Sequence, residues 1–312
     1  MSHHALISCP LILDSIDQYA DQFREHDISY DIADVDQQLT EAELLDIIDR
    51  YDGVLAGDDE FTESVISQAE KLKVISKWGI GIDGIDTNAA DKHDVAVYNT
   101  PGVFDDEVAD VVIGYAIMLT RQLHQIDHAV RNGTWHCPRG TSLAEKTFGI
   151  IGVGNIGSAV ARRAHALGMD VLGTDIEPLP DTLVDETGIQ RVERQELFRR
   201  SDIVSLNCIL TESTRNMIDA AELAQLGSDG YLINTARGEL LVQDALVEAL
   251  QEGTIAGAAL DVFQSEPLPE DHPLTELDSV ILGSHNAQNT TEAVNRVNQR
   301  AVENLIAGLR ET

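Results

Sequence analysis

Short apolar runs alternate with amphipathic stretches along the first 100 residues of the chain. In chain order these segments are ALIS, YDIADV, EAELLDIIDRY, GVLAG, TESVISQAEKL, KVISKW and VAVYNT. EAELLDIIDRY and TESVISQAEKL have the apolar spacing of helices, whereas the shorter runs have the length of strands. Strands that alternate with helices favour a parallel sheet with helices packed against it, so we expect an α/β fold.

A second alternation of the same kind begins at Lys146, with TFGIIGV, DVLGTDI, DIVSLN, GYLINTA and IAGAALDV as strands. Between the two alternations, Pro101 and Gly102 break the pattern. Residues 105–133 then predict one long helix with acidic residues in its first turn. The last stretch, TEAVNRVNQRAVENLIAGL, again has helical spacing.

The length of 312 residues exceeds what one ordinary core fills, which favours two domains. We place hinges near Thr100 and near His285. Residues 1–100 and 286–312 then form one discontinuous domain, and residues 101–285 form the other. The predicted fold is therefore two parallel-sheet α/β domains.

The charge balance is unusual, because 54 acidic residues stand against 21 basic ones and give a net charge of −33. Such a surface repels nucleic acid and anionic lipid, so neither is expected as a partner. The acidic residues are spread through patterned apolar segments, which argues against disorder. Lysine is rare, and molar salt shortens the Debye length to about 3 Å. The composition resembles that of proteins from salt-accumulating halophiles, with an ordinary acidic protein as the alternative.

The three cysteines, Cys9, Cys137 and Cys208, are scattered and form no CxxC pair. They predict neither a disulfide framework nor a metal site. The N-terminal MSHHALISCP lacks a basic region followed by an apolar stretch, and no apolar run approaches the roughly 18 residues that span a bilayer. We expect a cytoplasmic protein without membrane association.

Gly152, Gly154 and Gly157 form a GxGxxG pattern between the strand TFGIIGV and the helical segment ARRAHALG. The first glycine permits a tight bend, the second lets a pyrophosphate approach the backbone, and the third allows close helix packing. The N–H groups of Asn155 and Ile156 would then hold the phosphates. The context therefore predicts a dinucleotide site and makes residues 101–285 the dinucleotide-binding domain.

Asp175 lies at the end of the next strand, where a carboxylate accepts hydrogen bonds from an adenosine ribose. An aspartate selected only for a turn is the alternative. The carboxylate would repel a 2′-phosphate, and residues 176–190 contain no Arg or Lys to receive one. We therefore expect NAD rather than NADP as the cofactor.

Three further residues each follow an apolar strand: Arg237 in INTARG, Glu266 in ALDVFQSEP and His285 in LGSHNAQNT. The carboxyl ends of strands in a parallel sheet face the ligand crevice, so the three side chains can converge there. Taken singly, each has an ordinary explanation as a surface cation, a loop carboxylate or a loop histidine. Taken together they predict a catalytic set.

At these residues the chain resembles the D-2-hydroxyacid dehydrogenase family, which includes phosphoglycerate, glycerate and D-lactate dehydrogenases. The resemblance rests on KWGIGIDGIDTNAA, NTPGVFDDEVADVVIGY, GIIGVGNIG, INTARGELLVQDALVEAL and AALDVFQSEPL, in that order. It implies two Rossmann-like domains with the active site in the cleft between them, and a homodimer. Two positions depart from the family pattern: Asp110 stands where Glu is usual, and Ser284 stands where Pro is usual before the histidine.

The resemblance also implies roles for individual residues in the interconversion of a 2-keto acid and a D-2-hydroxy acid. His285 resembles the general acid that protonates the keto oxygen, and Glu266 would favour the protonated form of its imidazole. Arg237 offers a planar fork of donors to the substrate carboxylate and the reacting oxygen. Ile80 and Gly81, in the GIGID turn, match the backbone donors to that carboxylate.

Asp261 matches the residue that fixes the nicotinamide carboxamide, and Thr235 and Cys208 match positions that line the cofactor. For Cys208, a plain buried thiol is an equally good account.

Two other functions remain open. A nucleotide-sensing interaction protein on the same fold can retain the same residues, whereas formate dehydrogenase pairs its histidine with glutamine instead of glutamate. The motifs do not identify the substrate. Trp78 and Trp135 are candidates for the walls of its pocket, with core packing as the alternative for Trp78. Lys77 and Arg139 are candidates to meet a substrate phosphate, although we expect both on the solvated surface.

Overall fold

The computed structural model describes residues 2–311. The chain divides into two compact units, Met1–Phe104 with Asn289–Thr312, and Asp105–Gln288. We expected hinges near Thr100 and near His285, whereas the boundaries between the two units fall after Phe104 and after Gln288. Val103 is buried, and its carbonyl accepts a hydrogen bond from Nε of Arg296 over 2.9 Å, which ties the residues after Thr100 to the first unit.

Strands alternate with helices in both parts of the chain, as expected, although several elements were not among the predicted segments, including the helices Pro10–Leu13, Ala20–Glu25 and Thr87–Lys92 and the strand Gln190–Arg191. The α-helices are α1 (Pro10–Leu13), α2 (Ala20–Glu25), α3 (Glu41–Leu45), α4 (Glu63–Gln68), α5 (Thr87–Lys92), α6 (Asp105–Arg121), α7 (Leu123–Arg131), α8 (Asn155–Ala166), α9 (Asp181–Thr187), α10 (Arg194–Arg200), α11 (Ala220–Leu226), α12 (Gln243–Gln251) and α13 (Thr291–Glu311). The strands are β1 (His3–Ile7), β2 (Ile28–Ile32), β3 (Gly53–Ala56), β4 (Val74–Lys77), β5 (Ala96–Tyr98), β6 (Thr147–Ile151), β7 (Asp170–Thr174), β8 (Gln190–Arg191), β9 (Ile203–Leu206), β10 (Tyr231–Asn234), β11 (Gly257–Leu260) and β12 (Val280–Leu282).

The first unit is built on a five-stranded sheet in the order β2-β1-β3-β4-β5, with every pair parallel. Its register places Val54 of β3 opposite Ile75 of β4. Both strands are buried along their whole length, which is why they read as continuous apolar runs rather than alternating ones. Helix α13 returns from the far end of the sequence to pack on β3 and β4.

The second unit is built on a seven-stranded parallel sheet in the order β12-β11-β10-β9-β6-β7-β8. The strand order reverses between β6 and β9, so the loops that leave their carboxyl ends diverge to opposite faces of the sheet. Such a reversal opens the crevice in which α/β proteins bind ligands. The predicted class, two Rossmann-like parallel-sheet domains, is confirmed.

Two predicted helices were wrong in extent. Residues 105–133 form α6 and α7 rather than one helix, because Gln122 adopts a left-handed φ of +52° that interrupts the helical path. The segment EAELLDIIDRY forms α3 and then a 3-10 turn, Ile48–Arg50, since Ile47 leaves the helical region at φ −129°. Adjacent β-branched residues disfavour a continuous helix at this point. Within residues 2–311, no helix combines the length and apolarity that crossing a membrane requires.

Candidate active site

The glycine turn after β6 has the geometry that a bound dinucleotide needs. Gly152 has φ +87°, and a Cβ there would lie 2.6 Å from the backbone nitrogen of Cys208. A Cβ on Gly157 would lie 2.0 Å from the carbonyl oxygen of Gly152, so the helix packs directly on the turn. A Cβ on Gly154 would meet no heavy atom within 4 Å. The turn is therefore closed on the protein side and open in front of α8, where Asn155 and the following residue present the N–H groups that suit a pyrophosphate.

The Asp175 carboxylate lies beside this turn. Its Oδ2 atom accepts the N–H of Val153 over 2.6 Å, and its Oδ1 atom accepts the N–H of Glu177 over 3.0 Å. Each carboxylate oxygen has a second lone pair, so two ribose hydroxyls can still be bound.

Sequence reasoning missed one basic residue near Asp175. Nη2 of Arg191 donates to the carbonyl oxygen of Asp175 over 2.9 Å. The window of residues 176–190 stopped one position short of it, and strand β8 brings Arg191 back by pairing with Gly173 of β7. An alternating pattern of two residues is too short to predict such a strand.

Cys208 and Thr235 follow the carboxyl ends of neighbouring strands, β9 and β10, and both are partly buried. Burial raises the pKa of the Cys208 thiol to about 11, so the thiol stays protonated near neutral pH. Its sulfur lies 4.0 Å from that of Met217. Cys208 is thus a packed thiol beside the glycine turn, and its raised pKa disfavours the nucleophilic thiolate.

Arg237 occupies a tight turn. The side chain of Asn234, a fully buried residue at the end of β10, holds this turn through two hydrogen bonds. The Asn234 side chain accepts the N–H of Ala236 and donates to the carbonyl of Arg237, over 3.0 and 2.8 Å. A Cβ on the next residue, Gly238, would lie 2.0 Å from the carbonyl carbon of Phe263. The glycine in the motif therefore lets the Arg237 turn lie directly against the segment that leads to Glu266.

Glu266 and His285 form a hydrogen-bonded pair, with 2.8 Å between Oε2 of Glu266 and Nδ1 of His285. The other carboxylate oxygen, Oε1, accepts the N–H of Phe263 over 2.8 Å and so orients the carboxylate. The side chains are 29% exposed for His285 and 21% for Glu266, so solvent screens the pair only in part. A carboxylate on Nδ1 fixes the orientation of the ring and the hydrogen-bonding role of Nε2.

The backbone of His285 is held in an unusual conformation, with φ +54°. Left-handed φ is uncommon for residues other than glycine and is often found at functional sites. Asp261 maintains it, since its carbonyl oxygen accepts the N–H of His285 over 2.7 Å and its Oδ2 atom accepts the N–H of Ala287 over 2.8 Å. Gln288 also donates to the carbonyl of His285, over 3.1 Å. Asp261 therefore organises the loop that carries the histidine.

Tyr115, on helix α6, also reaches Asp261, with 3.4 Å between its hydroxyl and Oδ1. Burial, and then the Asp261 carboxylate, raise the pKa of Tyr115, so its hydroxyl remains a donor. A Cβ on Gly283 would lie 2.1 Å from Oδ1 of Asp261 and 2.6 Å from the Tyr115 hydroxyl. Neither Tyr115 nor Gly283 was singled out from the sequence, because an apolar helix face and a loop glycine give no chemical signal.

The two departures from the family pattern have different surroundings. Asp110 bonds through Oδ1 to Nε of Arg163 over 2.6 Å, and this arginine also pairs with Asp106 at 3.0 Å. These contacts join α6 to α8 behind the glycine turn. Ser284 is exposed, immediately before the histidine that has left-handed φ.

Ile80 and Gly81 lie in the other unit, in the turn after β4, and both are partly buried. The expectation that Lys77 is a solvated surface residue was wrong: it is 5% exposed and pairs with Asp58, because it ends a buried strand. Trp78 is also buried, and its Nε1 atom donates to Oδ1 of Asn298 over 2.6 Å, in line with core packing.

Trp135 and Arg139 were candidates for the substrate pocket. Both are exposed, and Trp135 is 86% accessible.

The chain is similar to several known proteins. The family model "D-isomer specific 2-hydroxyacid dehydrogenase, NAD binding domain" matches residues 113–287. A glyoxylate reductase from Thermofilum pendens is 41% identical over 258 residues, which cover 81% of this chain and 76% of that protein.

Two solved structures share the fold along nearly the whole chain. D-lactate dehydrogenase from Aquifex aeolicus, complexed with NAD and lactic acid, has a TM-score of 0.87 and 27% identity, and the match covers 96% of this chain and 93% of that one. The NADPH-dependent glyoxylate/hydroxypyruvate reductase from Sinorhizobium meliloti has a TM-score of 0.85 and 28% identity, with 98% and 93% covered. The chain belongs to the D-isomer specific 2-hydroxyacid dehydrogenase family.

Proposed function

We propose that this protein reduces a small 2-keto acid to the D-2-hydroxy acid with NADH, and that His285 is the general acid. The observation that carries the proposal is the 2.8 Å pair between Nδ1 of His285 and the Glu266 carboxylate. When the ring is protonated, the Glu266 carboxylate accepts a hydrogen bond from Nδ1–H, and Nε2 holds the proton that is transferred to the keto oxygen. In the reverse direction, the neutral Nε2 atom takes the proton from the hydroxyl group.

Arg237 and the turn in the first unit are proposed to bind the substrate carboxylate. The guanidinium presents a planar fork that matches a carboxylate, and backbone N–H groups from Ile80 and Gly81 add two neutral donors. Binding the carboxylate at fixed points orients the keto carbon for reaction and contributes through proximity.

NAD is the proposed cofactor, and when bound it supplies or accepts the hydride. The phosphates would be held at Gly152, Gly154 and Gly157 and at the N–H groups of Asn155 and Ile156. Asp175 would accept hydrogen bonds from the adenosine ribose. Thr235 and Cys208 would line the site, and Asp261 would bind the nicotinamide carboxamide. The open space in front of Gly154, and the glycine turn that closes behind it, support this assignment.

Glyoxylate and hydroxypyruvate are the proposed substrate class, supported by the names of relatives that are 41% and 34% identical to this chain. Purified protein is to be assayed with NADH and a panel of glyoxylate, hydroxypyruvate, pyruvate, branched 2-keto acids and 3-phosphohydroxypyruvate. The proposal expects turnover of at least one small keto acid. If the protein binds NADH but turns over none of them, a nucleotide-sensing interaction protein becomes the better account.

We also propose that the enzyme is halophilic and cytoplasmic and that it forms a homodimer. The net charge of −33 supports a halophilic, cytoplasmic enzyme. Family resemblance supports a homodimer, which light scattering of the purified protein in molar salt would test.

A further inference from the structure

The turn Gly79–Gly81 is held by two donors from the segment that follows β5. The side-chain amide of Asn99 donates through Nδ2 to the carbonyl oxygen of Ile80 over 2.7 Å. The backbone N–H of Thr100 donates to the carbonyl oxygen of Gly79 over 2.9 Å. Thr100 is fully buried, so its bond is protected from competing water, whereas Asn99 is partly buried.

These two bonds fix the direction of the next two N–H groups. In a trans peptide the N–H points opposite to the carbonyl of the preceding residue. Holding the Gly79 carbonyl therefore turns the N–H of Ile80 away from the segment that contains Asn99. Holding the Ile80 carbonyl does the same for the N–H of Gly81. The hydrogen bonds from Asn99 and Thr100 therefore orient the two N–H groups that the proposed function assigns to the substrate carboxylate. Both N–H groups point away from the segment that contains Asn99.

Lys77 helps to fix the Trp78–Gly79 peptide, which has the opposite orientation: its N–H, and not its carbonyl, faces Thr100. Its buried ammonium donates to the carbonyl of Trp78 over 2.6 Å and pairs with Asp58 at 3.1 Å. The N–H of Gly79 in that same peptide donates to Oγ1 of Thr100 over 3.0 Å. The reversal between this peptide and the next occurs at Gly79, whose φ of +113° disfavours any side chain. Burying a cation destabilises the fold unless the cation is paired. The ion pair with Asp58 therefore stabilises the Lys77 ammonium in its position at the turn.

We propose that Asn99 is a positioning residue for substrate binding, which acts by orienting the Ile80–Gly81 peptide toward the carboxylate of the keto acid. Thr100 does the same for the peptide before it, and Lys77 anchors the start of the turn. This inference rests on the proposed function and adds to it the residues that set the affinity for the carboxylate group. In this proposal Asn99 acts through the turn and is assigned no contact with the substrate or the cofactor.

The test is the nearly isosteric substitution Asn99→Asp, which removes the amide donor and places a carboxylate against the Ile80 carbonyl. The expected result is a rise of about 10- to 100-fold in the KM for glyoxylate, the range that the loss of one hydrogen bond to a charged group produces. The change in kcat is expected to be much smaller, and the Kd for NADH unchanged. Oxamate, a non-reducible analogue, should lose affinity for the enzyme–NADH complex by the same factor.

Asn132→Asp is the matched control, because the Asn132 side chain donates the same kind of bond to the carbonyl of His128 over 3.0 Å, in the other unit. It should leave the KM and the oxamate Kd at wild-type values. Two variants of Thr100 test the same turn if Asn99→Asp does not fold. Thr100→Val removes the acceptor of the Gly79 N–H and should raise the KM, whereas Thr100→Ser keeps the hydroxyl and should leave the KM unchanged.

A folded Asn99→Asp variant with wild-type KM and wild-type oxamate affinity would overturn the inference. A uniform loss of kcat and NADH affinity in Asn99→Asp would do so as well, because it would indicate general damage. If the wild type reduces glyoxylate normally in these assays, the proposed function survives either result. If the wild type neither reduces keto acids nor binds oxamate, both fail.

Discussion

The carboxylate of Glu266 contacts Nδ1 of His285 across 2.8 Å, while its second oxygen is held by the N–H of Phe263 at the same distance. The carboxylate is therefore oriented by the chain before any substrate binds, and Nε2 is the ring nitrogen that Glu266 does not contact. A negative charge on this side of the ring stabilises the imidazolium that keto-acid reduction needs.

The substitution Glu266→Gln tests this arrangement. Without the negative charge, the imidazole loses its proton at lower pH, so the alkaline limb of keto-acid reduction should move to lower pH. Solvent screens this partly exposed pair, so the shift should be smaller than it would be for a fully buried pair. The pH dependence of kcat measures the shift, with the Kd for NADH as the control that should not change. An unmoved alkaline limb would show that Glu266 does not have this role.

The substitution Gly283→Ala should disturb the loop that carries His285. The added methyl would overlap Oδ1 of Asp261 and the hydroxyl of Tyr115, and overpacking of this kind costs about 1–3 kcal/mol. We expect a lower Tm and a lower kcat, measured by thermal unfolding and steady-state turnover. Gly114→Ala is the matched control, since a Cβ there meets no heavy atom within 4 Å on helix α6. It should retain kcat and stability, and a Gly283→Ala variant that does the same would exclude the proposed constraint.

Much of this site follows from the sequence, and the residues that escaped prediction did so for physical reasons. Glu266 and His285 stand directly after apolar strands, and parallel strands end at a common edge, so pattern and topology together predict that they meet. Gly283 and Tyr115 act through shape and a single hydroxyl, which apolar periodicity does not reveal. Arg191 escaped because its strand spans only two residues, Gln190–Arg191.

In the first unit, the sequence predicts that Ile80 and Gly81 lie in a glycine turn. The spacing of residues along the chain does not reveal which side chains hold that turn in place. Asn99 lies 19 residues from Ile80 in the chain and meets it only because β4 and β5 pair. Lys77 was expected on the surface because lysine is rarely buried. Its burial follows from the position of β4 between two other strands.

The choice between NADH and NADPH should depend on Asp175. This residue lies beside Arg191, a cation that could otherwise bind a 2′-phosphate. We expect the wild type to prefer NADH, since the carboxylate repels a 2′-phosphate. In Asp175→Asn that repulsion is removed, and Arg191, whose guanidinium bonds to the Asp175 carbonyl, can then pair with the phosphate. Affinity for NADPH and for adenosine 2′,5′-bisphosphate should rise, as measured by calorimetry.

Adding Arg191→Gln to Asp175→Asn should abolish that gain, whereas Arg199→Gln, at an exposed arginine on α10, should not. A clear NADPH preference in the wild type, or an equal gain with and without Arg191, would contradict this account of selectivity.

Stability should rise steeply with salt. With a net charge of −33, self-repulsion is screened only when the Debye length falls to about 3 Å, near 1 M salt. The measurement is Tm as a function of KCl, with sucrose as a control that stabilises without screening charge. Full stability at about 50 mM KCl, where the Debye length exceeds 10 Å, would refute the halophilic interpretation.

The most direct test of the central claim is the NADH-dependent reduction of hydroxypyruvate by the wild type and by His285→Ala, in molar KCl, with the configuration of the glycerate product determined. The account predicts D-glycerate from the wild type and a fall in kcat of about 10²- to 10⁴-fold in the variant at every pH, with the Kd for NADH unchanged. Near-native turnover by His285→Ala, or L-glycerate from the wild type, would contradict it.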